Sequence, residues 1–400
     1  MKRNLHYIGA FAMLFISGCN GGGGSSGSSS QSANNQLPVV VDRGVNESAP
    51  LNRPFVTVTL CVPGTNTCQT IDHVLLDSGS DGLRVPASVL ANRSSYPQLM
   101  SPTNQPLYTC ANYAAGYDFG SVNAADVKLG GLTAKAVPFQ IIDDSQPQIG
   151  IPDSCNSSGS YFDFVAAGQN AIVGIRNWVY DEDRSYTCND GGCTEINNLP
   201  ESMLIGSPII RIPGNNNGAS IQFPSVPANG AQSFIGVLTI GINTQANNSI
   251  GSDVSLLYTR DSLFKASYNN VNQASTFDSG TPYIIFTDNG IPLCNAGAAE
   301  GFYCPVSPML INAVFSNFDG GNQVNASYLL QNPLIYYDNA VANNTLLPYA
   351  GAPCSGCESF ADSIFLWGLP YFYGKTIYSG FPGVVINGES QPPFLGVSGL

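Results

Sequence analysis

The sequence predicts an all-β protein made of two lobes, and three observations carry that expectation. Short strand-like runs bounded by Gly, Pro, Asn and Asp recur along the 400 residues, while long helical periodicity is hard to find. Asp outnumbers Glu 20 to 7, as expected when carboxylates sit in turns and not on helices. An aspartate motif near residue 77 is repeated near residue 278.

The strand-like runs are residues 54–60, 72–76, 136–142, 233–240 and 281–286. Ser, Thr, Asn and Gly supply their polar side, so only 10% of residues are charged, against roughly 25% in an average domain. With 43% apolar residues the chain can bury one large core or two medium ones, which argues against disorder despite 43 Gly and 27 Pro. Between Cys61 and Cys68, Val62-Pro-Gly-Thr-Asn-Thr reads as a hairpin loop with a disulfide at its neck.

The formal net charge of -13 argues against nucleic acid as a partner, because counterion displacement needs a basic face. His6 falls in an N-terminal apolar stretch, leaving His73 as the only histidine in the body of the chain. A zinc site built on two or three imidazoles is thereby excluded within one chain, and a serine-hydrolase triad has a single candidate base. Carboxylates or thiols are left to carry any chemistry. His73 itself, four residues before Asp77 in a strand, reads as a partly buried sheet residue.

Lys2 and Arg3 precede an apolar run, residues 7–15, that ends in Ile16-Ser17-Gly18-Cys19. The pattern is that of a secretory signal peptide, and the run is shorter than the roughly 20 residues a spanning helix needs. Ile-Ser-Gly-Cys resembles the bacterial lipobox, whose Cys is acylated and becomes the first mature residue. That resemblance makes Cys19 the lipidation site, and Asn20 after it implies sorting to the outer membrane. Residues 20–36, rich in Gly and Ser, cannot pack a core and read as a tether spanning about 20–25 Å on average. The expected organisation is therefore a signal peptide (1–18), a lipidated Cys and tether (19–37), an N-terminal β lobe (38–215) and a C-terminal β lobe (216–400). Setting Cys19 aside leaves ten of 11 cysteines, an even number that suggests disulfides in an exported protein. They fall in close pairs, Cys61/Cys68, Cys188/Cys193, Cys294/Cys304 and Cys354/Cys357, with Cys110 and Cys155 left over. Cys354-Ser-Gly-Cys357 could also be read as a redox motif, although it sits in a Gly/Pro-rich turn and opens no apolar helix.

The repeat is the most informative feature. Leu76-Asp77-Ser78-Gly79-Ser80 recurs as Phe277-Asp278-Ser279-Gly280-Thr281, and apolar residues follow at matching positions, Leu83 with Ile284 and Val85 with Phe286. Such a tetrapeptide is expected by chance on the order of a few hundredths of a time in a chain of this composition. Two copies in one register, 201 residues apart, point to duplicated strand–turn–strand units.

These loops resemble the two hydrophobic-Asp-[Thr/Ser]-Gly-[Ser/Thr] loops of pepsin-like aspartic proteases, a bilobal all-β family whose aspartates meet across a cleft. Ile172-Val173-Gly174-Ile175 and Phe365-Leu366-Trp367-Gly368 are similar to the hydrophobic-hydrophobic-Gly segments that thread beside each loop. Tyr117-Asp-Phe-Gly120-Ser121 resembles the flap, with Tyr113 as a rival for its tyrosine. The whole chain is also similar to a family of bacterial lipoproteins of unassigned function. The resemblance implies Asp77 and Asp278 as catalytic groups, Ser78 and Ser279 as ties between the loops, and Ser80 and Thr281 as partners of the outer carboxylate oxygens. Gly79 and Gly280 would allow the tight turn and close approach. Two carboxylates about 3 Å apart share a proton; one can take a proton from water while the other donates to a scissile carbonyl. That chemistry needs no metal and no cofactor.

Two departures bear on activity. Arg84 stands where the family commonly has Trp; a guanidinium beside the aspartates would lower their pKa values, unless it points outward or pairs with Asp81. Leu369 follows Gly368 where an Asp is usual. The expected function is an aspartic endopeptidase anchored in the bacterial envelope, periplasmic or surface-facing, monomeric and acting on peptides or proteins. The alternative is an inactive envelope binding or structural lipoprotein that keeps the fold.

Overall fold

The computed structural model describes residues 33–113, 116–143, 150–156, 161–181, 184–189, 192–227, 230–338, 344–354 and 364–399. The export segment, Cys19 and most of the tether lie outside the described residues, as does Cys357. Residues from Ala33 onward form one compact unit.

The first half supplies β1 (Gln36–Val41), β2 (Pro54–Cys61), β3 (Cys68–Asp77), β4 (Asp81–Pro86), β5 (Leu107–Tyr113), β6 (Gly116–Leu129), β7 (Leu132–Ile142), β8 (Ala171–Ile175), β9 (Arg184–Asn189) and β10 (Gly192–Ile196). The second supplies β11 (Gly218–Gln222), β12 (Phe234–Ile240), β13 (Ser255–Tyr258), β14 (Phe264–Tyr268), β15 (Val271–Asp278), β16 (Ile284–Ile285), β17 (Met309–Ser316) and β18 (Val324–Leu330). It continues through β19 (Gly351–Ala352), β20 (Ile364–Gly368), β21 (Thr376–Gly380), β22 (Val385–Ile386), β23 (Glu389–Ser390) and β24 (Phe394–Ser398). Among the described residues the only α-helix is the short Leu334–Asp338.

Four of the five expected strands are present as β2, β3, β7 and β12. The fifth, expected over 281–286, shrinks to the two residues of β16. Pro282 cannot donate to a ladder, and residues 279–283 are drawn into the loop that carries Asp278. The alternate apolar positions nonetheless hold: Leu83, Val85, Ile284 and Phe286 are all buried.

The two halves repeat one arrangement. β8 lies between β3, to which it runs parallel, and β4, to which it runs antiparallel. In the second half β20 lies between β15 (parallel) and β16 (antiparallel). The chain therefore leaves β3 at Asp77 and returns beyond a neighbouring strand, so the loop is stretched across the end of the sheet. Asp77 is registered opposite Gly174 and Asp278 opposite Gly368. A Cβ on Gly174 would sit 2.3 Å from the Ser80 carbonyl oxygen, and one on Gly368 would sit 2.1 Å from that of Tyr283. Only glycine fits where the threading strand passes under the aspartate loop.

The halves are joined by β1, which pairs with β2 on one side and with β12 on the other. From β12 the sheet continues through β11, β21, β24 and β13. Beneath the first loop the core is aliphatic, with Leu76, Leu83, Val85, Val173 and Ile175 buried. Beneath the second it is aromatic: Phe277 stacks on Tyr371 at 5.6 Å and Trp367 on Phe365 at 4.3 Å. The Trp367 indole N–H donates to Ser275 Oγ, which donates in turn to the Phe365 carbonyl, so this dense floor holds no unpaired polar atom on the indole.

Three of the expected local disulfides form, Cys61–Cys68, Cys188–Cys193 and Cys294–Cys304, and the leftover pair closes as Cys110–Cys155. Cys354 is also disulfide-bonded. Cys110–Cys155 closes a loop of 45 residues and Cys188–Cys193 one of 5. Loop-closure entropy then predicts that replacing both cysteines by Ala costs about 4 kcal/mol for the first pair and about 2 kcal/mol for the second. Denaturant midpoints of the two double variants check the order.

Candidate active site

Each aspartate stands at the last position of its strand, and the following Ser-Gly makes the turn. Ser78 and Ser279 face each other across the junction and build a closed set of four buried hydrogen bonds. The Ser78 backbone N–H donates to Ser279 Oγ, and the Ser279 N–H donates to Ser78 Oγ, both at 2.9 Å. Ser78 Oγ donates to the Phe277 carbonyl at 2.8 Å, and Ser279 Oγ donates to the Leu76 carbonyl at 2.7 Å. Each hydroxyl is thus both donor and acceptor in a dry site.

This lattice sets how closely the loops approach. A Cβ on Gly79 would lie 2.6 Å from Cγ of Asp278, and a Cβ on Gly280 would lie 2.6 Å from Oδ1 of Asp77. Each carboxylate therefore rests against the glycine of the opposite loop, and a methyl group at either glycine would drive into it. Within each loop the carboxylate is oriented by its own neighbours. Ser80 Oγ donates to Asp77 Oδ2 and Thr281 Oγ1 donates to Asp278 Oδ2, both at 2.6 Å. The Gly79 N–H donates to Asp77 Oδ1 at 2.8 Å, and the Thr281 N–H donates to Asp278 Oδ1 at 3.1 Å.

The reciprocal contacts with the opposite glycines put the two carboxyl groups side by side. Burial raises the Asp278 pKa to about 7, helped by the adjacent Asp77 charge and opposed by the hydrogen bonds from Thr281. A pair in which one carboxyl stays protonated to near neutrality has an acid and a base side by side. Asp77 is 8% exposed and Asp278 somewhat more.

Arg84 is not the guanidinium that acts on this pair. It is 2% exposed, donates to Gln140 Oε1 and forms an ion pair with Asp181; Asp81 is paired with Arg176. The expectation of an outward Arg84 is corrected, because β4 turns the side chain into the first lobe, where Gln140 Oε1 and Asp181 Oδ2 accept its hydrogen bonds. The cation beside the site is Arg53, which donates through Nη1 to the Gly280 carbonyl. Asn52 next to it has φ 60° and a fully used side chain. Its amide N–H groups go to the Pro282 and Leu347 carbonyls, and its Oδ1 accepts from the Leu347 N–H and the Tyr373 hydroxyl. Neither residue was legible as a site residue, since both act on partners more than 220 positions away.

Tyr117 lies in the β5–β6 hairpin. It is the second residue of β6, 8% exposed, and packs with Cys110, Phe119, Cys155 and Tyr186. Alternation along β6 turns its ring into this disulfide-bonded cluster, edge-on to Tyr161. Tyr113 ends β5 beside the hairpin connection, donates its hydroxyl to Asp118 Oδ2 at 3.0 Å and packs on Phe162 and Phe164. Residues 114–115, between the two strands, lie outside the described residues. Leu369 is fully buried, and its N–H donates to the Thr281 carbonyl at 2.8 Å. His73 sits at a bulge of β3 between Asp42 and Asp72, at 3.4 and 3.5 Å, as a partly buried sheet residue. A hollow of about 270 Å³ in the first lobe, lined by Pro86, Ile142, Phe162, Phe164 and Val165, contains neither aspartate.

Paired strand–turn–strand loops with interlocked serines and abutting carboxylates define a bilobal, pepsin-like β architecture. Among solved structures the protein is similar to an aspartic proteinase from Irpex lacteus, with a TM-score of 0.50 and 15% sequence identity over 91% of this chain and 96% of that one. At that identity the likeness shows the fold alone. The chain belongs to the family described as protein of unknown function (DUF3443), whose model matches residues 31–395. No curated protein matches it.

Two outcomes follow from the geometry without any assumption about turnover. Ser78→Ala and Ser279→Ala each strip partners from a buried N–H and a buried carbonyl, so each is expected to cost about 2–4 kcal/mol. Their twofold equivalence puts the two values within about 1 kcal/mol of each other in urea titrations. Asp278 has a folded-state pKa above its unfolded value. Its contribution to stability is thus fully present below about pH 4 and is lost as pH rises through about 7. Asp278→Asn, always neutral, should gain stability relative to wild type as pH is raised from about 4 to about 8; unfolding midpoints across that range check the sign.

Proposed function

We propose that Asp77 and Asp278 work as a proton-sharing dyad and that the protein is an aspartic endopeptidase. The observation that carries this reading is the reciprocal fit of each carboxylate against the opposite loop's glycine, with one carboxyl held protonated to about pH 7. Between the two ionisation steps the pair holds one proton. The ionised carboxylate accepts a proton from a water lying between them as that water attacks the peptide carbonyl carbon. The protonated carboxyl donates to the carbonyl oxygen, giving a tetrahedral gem-diol with no covalent bond to the enzyme. The pair then gives its proton to the amide nitrogen while its ionised carboxylate takes one from a gem-diol hydroxyl; the C–N bond breaks, an acid and an amine leave, and the pair again holds a single proton. Ser80 and Thr281 keep the outer oxygens aimed, so little reorganisation is needed as charge moves.

The substrate on this reading is an extended peptide or protein segment, and the chain works as a monomer. Lipidation at Cys19 after removal of residues 1–18 would hold the β unit at the bacterial envelope, on the outer membrane, with the Gly/Ser tether keeping it clear of the headgroups. The sparsely charged, acidic chain and the paired cysteines suit that oxidising, extracytoplasmic setting.

Cleavage of a mixed peptide library by the purified protein tests the reading. Activity is expected on the acid side and to fall as pH rises through about 7, when the second carboxyl ionises. Asp77→Asn and Asp278→Asn should each lower kcat/KM by at least about a hundredfold. Absence of cleavage from about pH 3 to 7, together with no binding of a statine-type transition-state analogue, would replace the enzyme by an envelope binding or structural lipoprotein of the same fold.

A further inference from the structure

The chain carries 14 Lys and Arg, and one of them is built into the candidate site. Arg53 immediately precedes β2, whose first residues pair with β1 and β3. On its other side Asn52 is locked to the second lobe by four hydrogen bonds. The backbone at Arg53 is therefore fixed from both lobes, and its side chain runs onto the Gly280 carbonyl in the second aspartate loop. That glycine is the one whose α-carbon faces the Asp77 carboxylate. Arg53 Nε is buried and has no hydrogen-bond partner among the described residues, so the guanidinium meets the loop through a single tie.

We propose that the Arg53 guanidinium, seated on the Gly280 carbonyl, is the charge that sets the pH range over which the Asp77–Asp278 pair holds one shared proton. This rests on the reading of the pair as a proton-sharing dyad. Among the described residues, the groups around the pair leave few other charges to do this. The first loop contributes Asp77 and the neutral Ser80; the second contributes Asp278, Thr281 and the Tyr283 hydroxyl. Asp81, next in the first loop, is neutralised by Arg176, and Arg84 by Asp181. Gly174 and Gly368, on the threading strands, carry no charge, and neither does Leu369 after them. Burial pulls the Arg53 pKa down, while Asp77, Asp278 and Tyr283 push it up, an interaction of charges across the loop.

A guanidinium remains protonated throughout the accessible range. Its positive charge favours ionised carboxylates, so it lowers both ionisation steps of the pair and works against the burial that raises the upper one. Removing the charge should move both steps, and with them the one-proton range, to higher pH.

Carboxyl carbon-13 titration of Asp77 and Asp278 tests this directly, with assignment by Asp77→Asn. In Arg53→Gln the upper step should rise by about half a unit to one unit, and in Arg53→Lys, which keeps the charge, by less than half as much. The alkaline limb of peptide cleavage should move with it. An unchanged titration in Arg53→Gln, or an equal shift in Arg53→Lys, overturns the proposal. A measurement on the unaltered protein guards against misfolded variants. The Arg53 Nε–H resonance should move with the same midpoint as the carboxyl pair, and a resonance that ignores pH overturns the proposal as well. Coupled titration that responds to Arg53 in a protein that cleaves no peptide supports the charge role while removing the endopeptidase reading. Independent titration of the two carboxyls at ordinary values removes both.

Discussion

The closed exchange of hydrogen bonds between Ser78 and Ser279 is the constraint on which the rest of the site depends. It ties the ends of two strands from opposite halves at a spacing that leaves no room for a side chain at Gly79 or Gly280. Once that spacing is fixed, the carboxylates must lie beside one another in a poorly hydrated place, and mutual repulsion follows. On the proposed reading, the shared proton is then a consequence of backbone geometry. The glycines at 174 and 368 serve the same end from below, because they let a strand pass under each loop and hold it taut.

Charge is distributed so that the pair is nearly isolated. The guanidinium of Arg84 is engaged by Asp181 and Gln140 and that of Arg176 by Asp81. Arg53 is placed where both carboxylates act on it, yet it is tied to a carbonyl and not to either of them. Such an arrangement tunes a proton without removing it. The two floors beneath the loops differ in kind, aliphatic in one lobe and aromatic in the other, so the twofold likeness of the site does not require a twofold likeness of the core.

What could be read in the sequence was whatever chemistry is local. The Asp-Ser-Gly turns, the apolar residues at matched offsets and the hydrophobic-Gly threading segments each declare themselves within about ten residues, because turn and strand preferences act over that range. Short-range disulfides were legible for the same reason. Partners chosen by the tertiary fold were not. Arg84 reads as a threat to the dyad until β4 carries it to Asp181, 97 positions along the chain. Tyr117 fits a flap by its sequence neighbours, but strand alternation turns it into the Cys110–Cys155 cluster. The strand expected over 281–286 is largely lost to the loop it borders.

Everything proposed for the site requires that Asp77 and Asp278 be held in contact and share a single proton. A neutron structure of the protein at about pH 5 addresses it most directly. Facing carboxyl oxygens about 3 Å apart with one deuteron between them are expected. Carboxyl groups more than about 5 Å apart, or a pair carrying no deuteron at that pH, would contradict it.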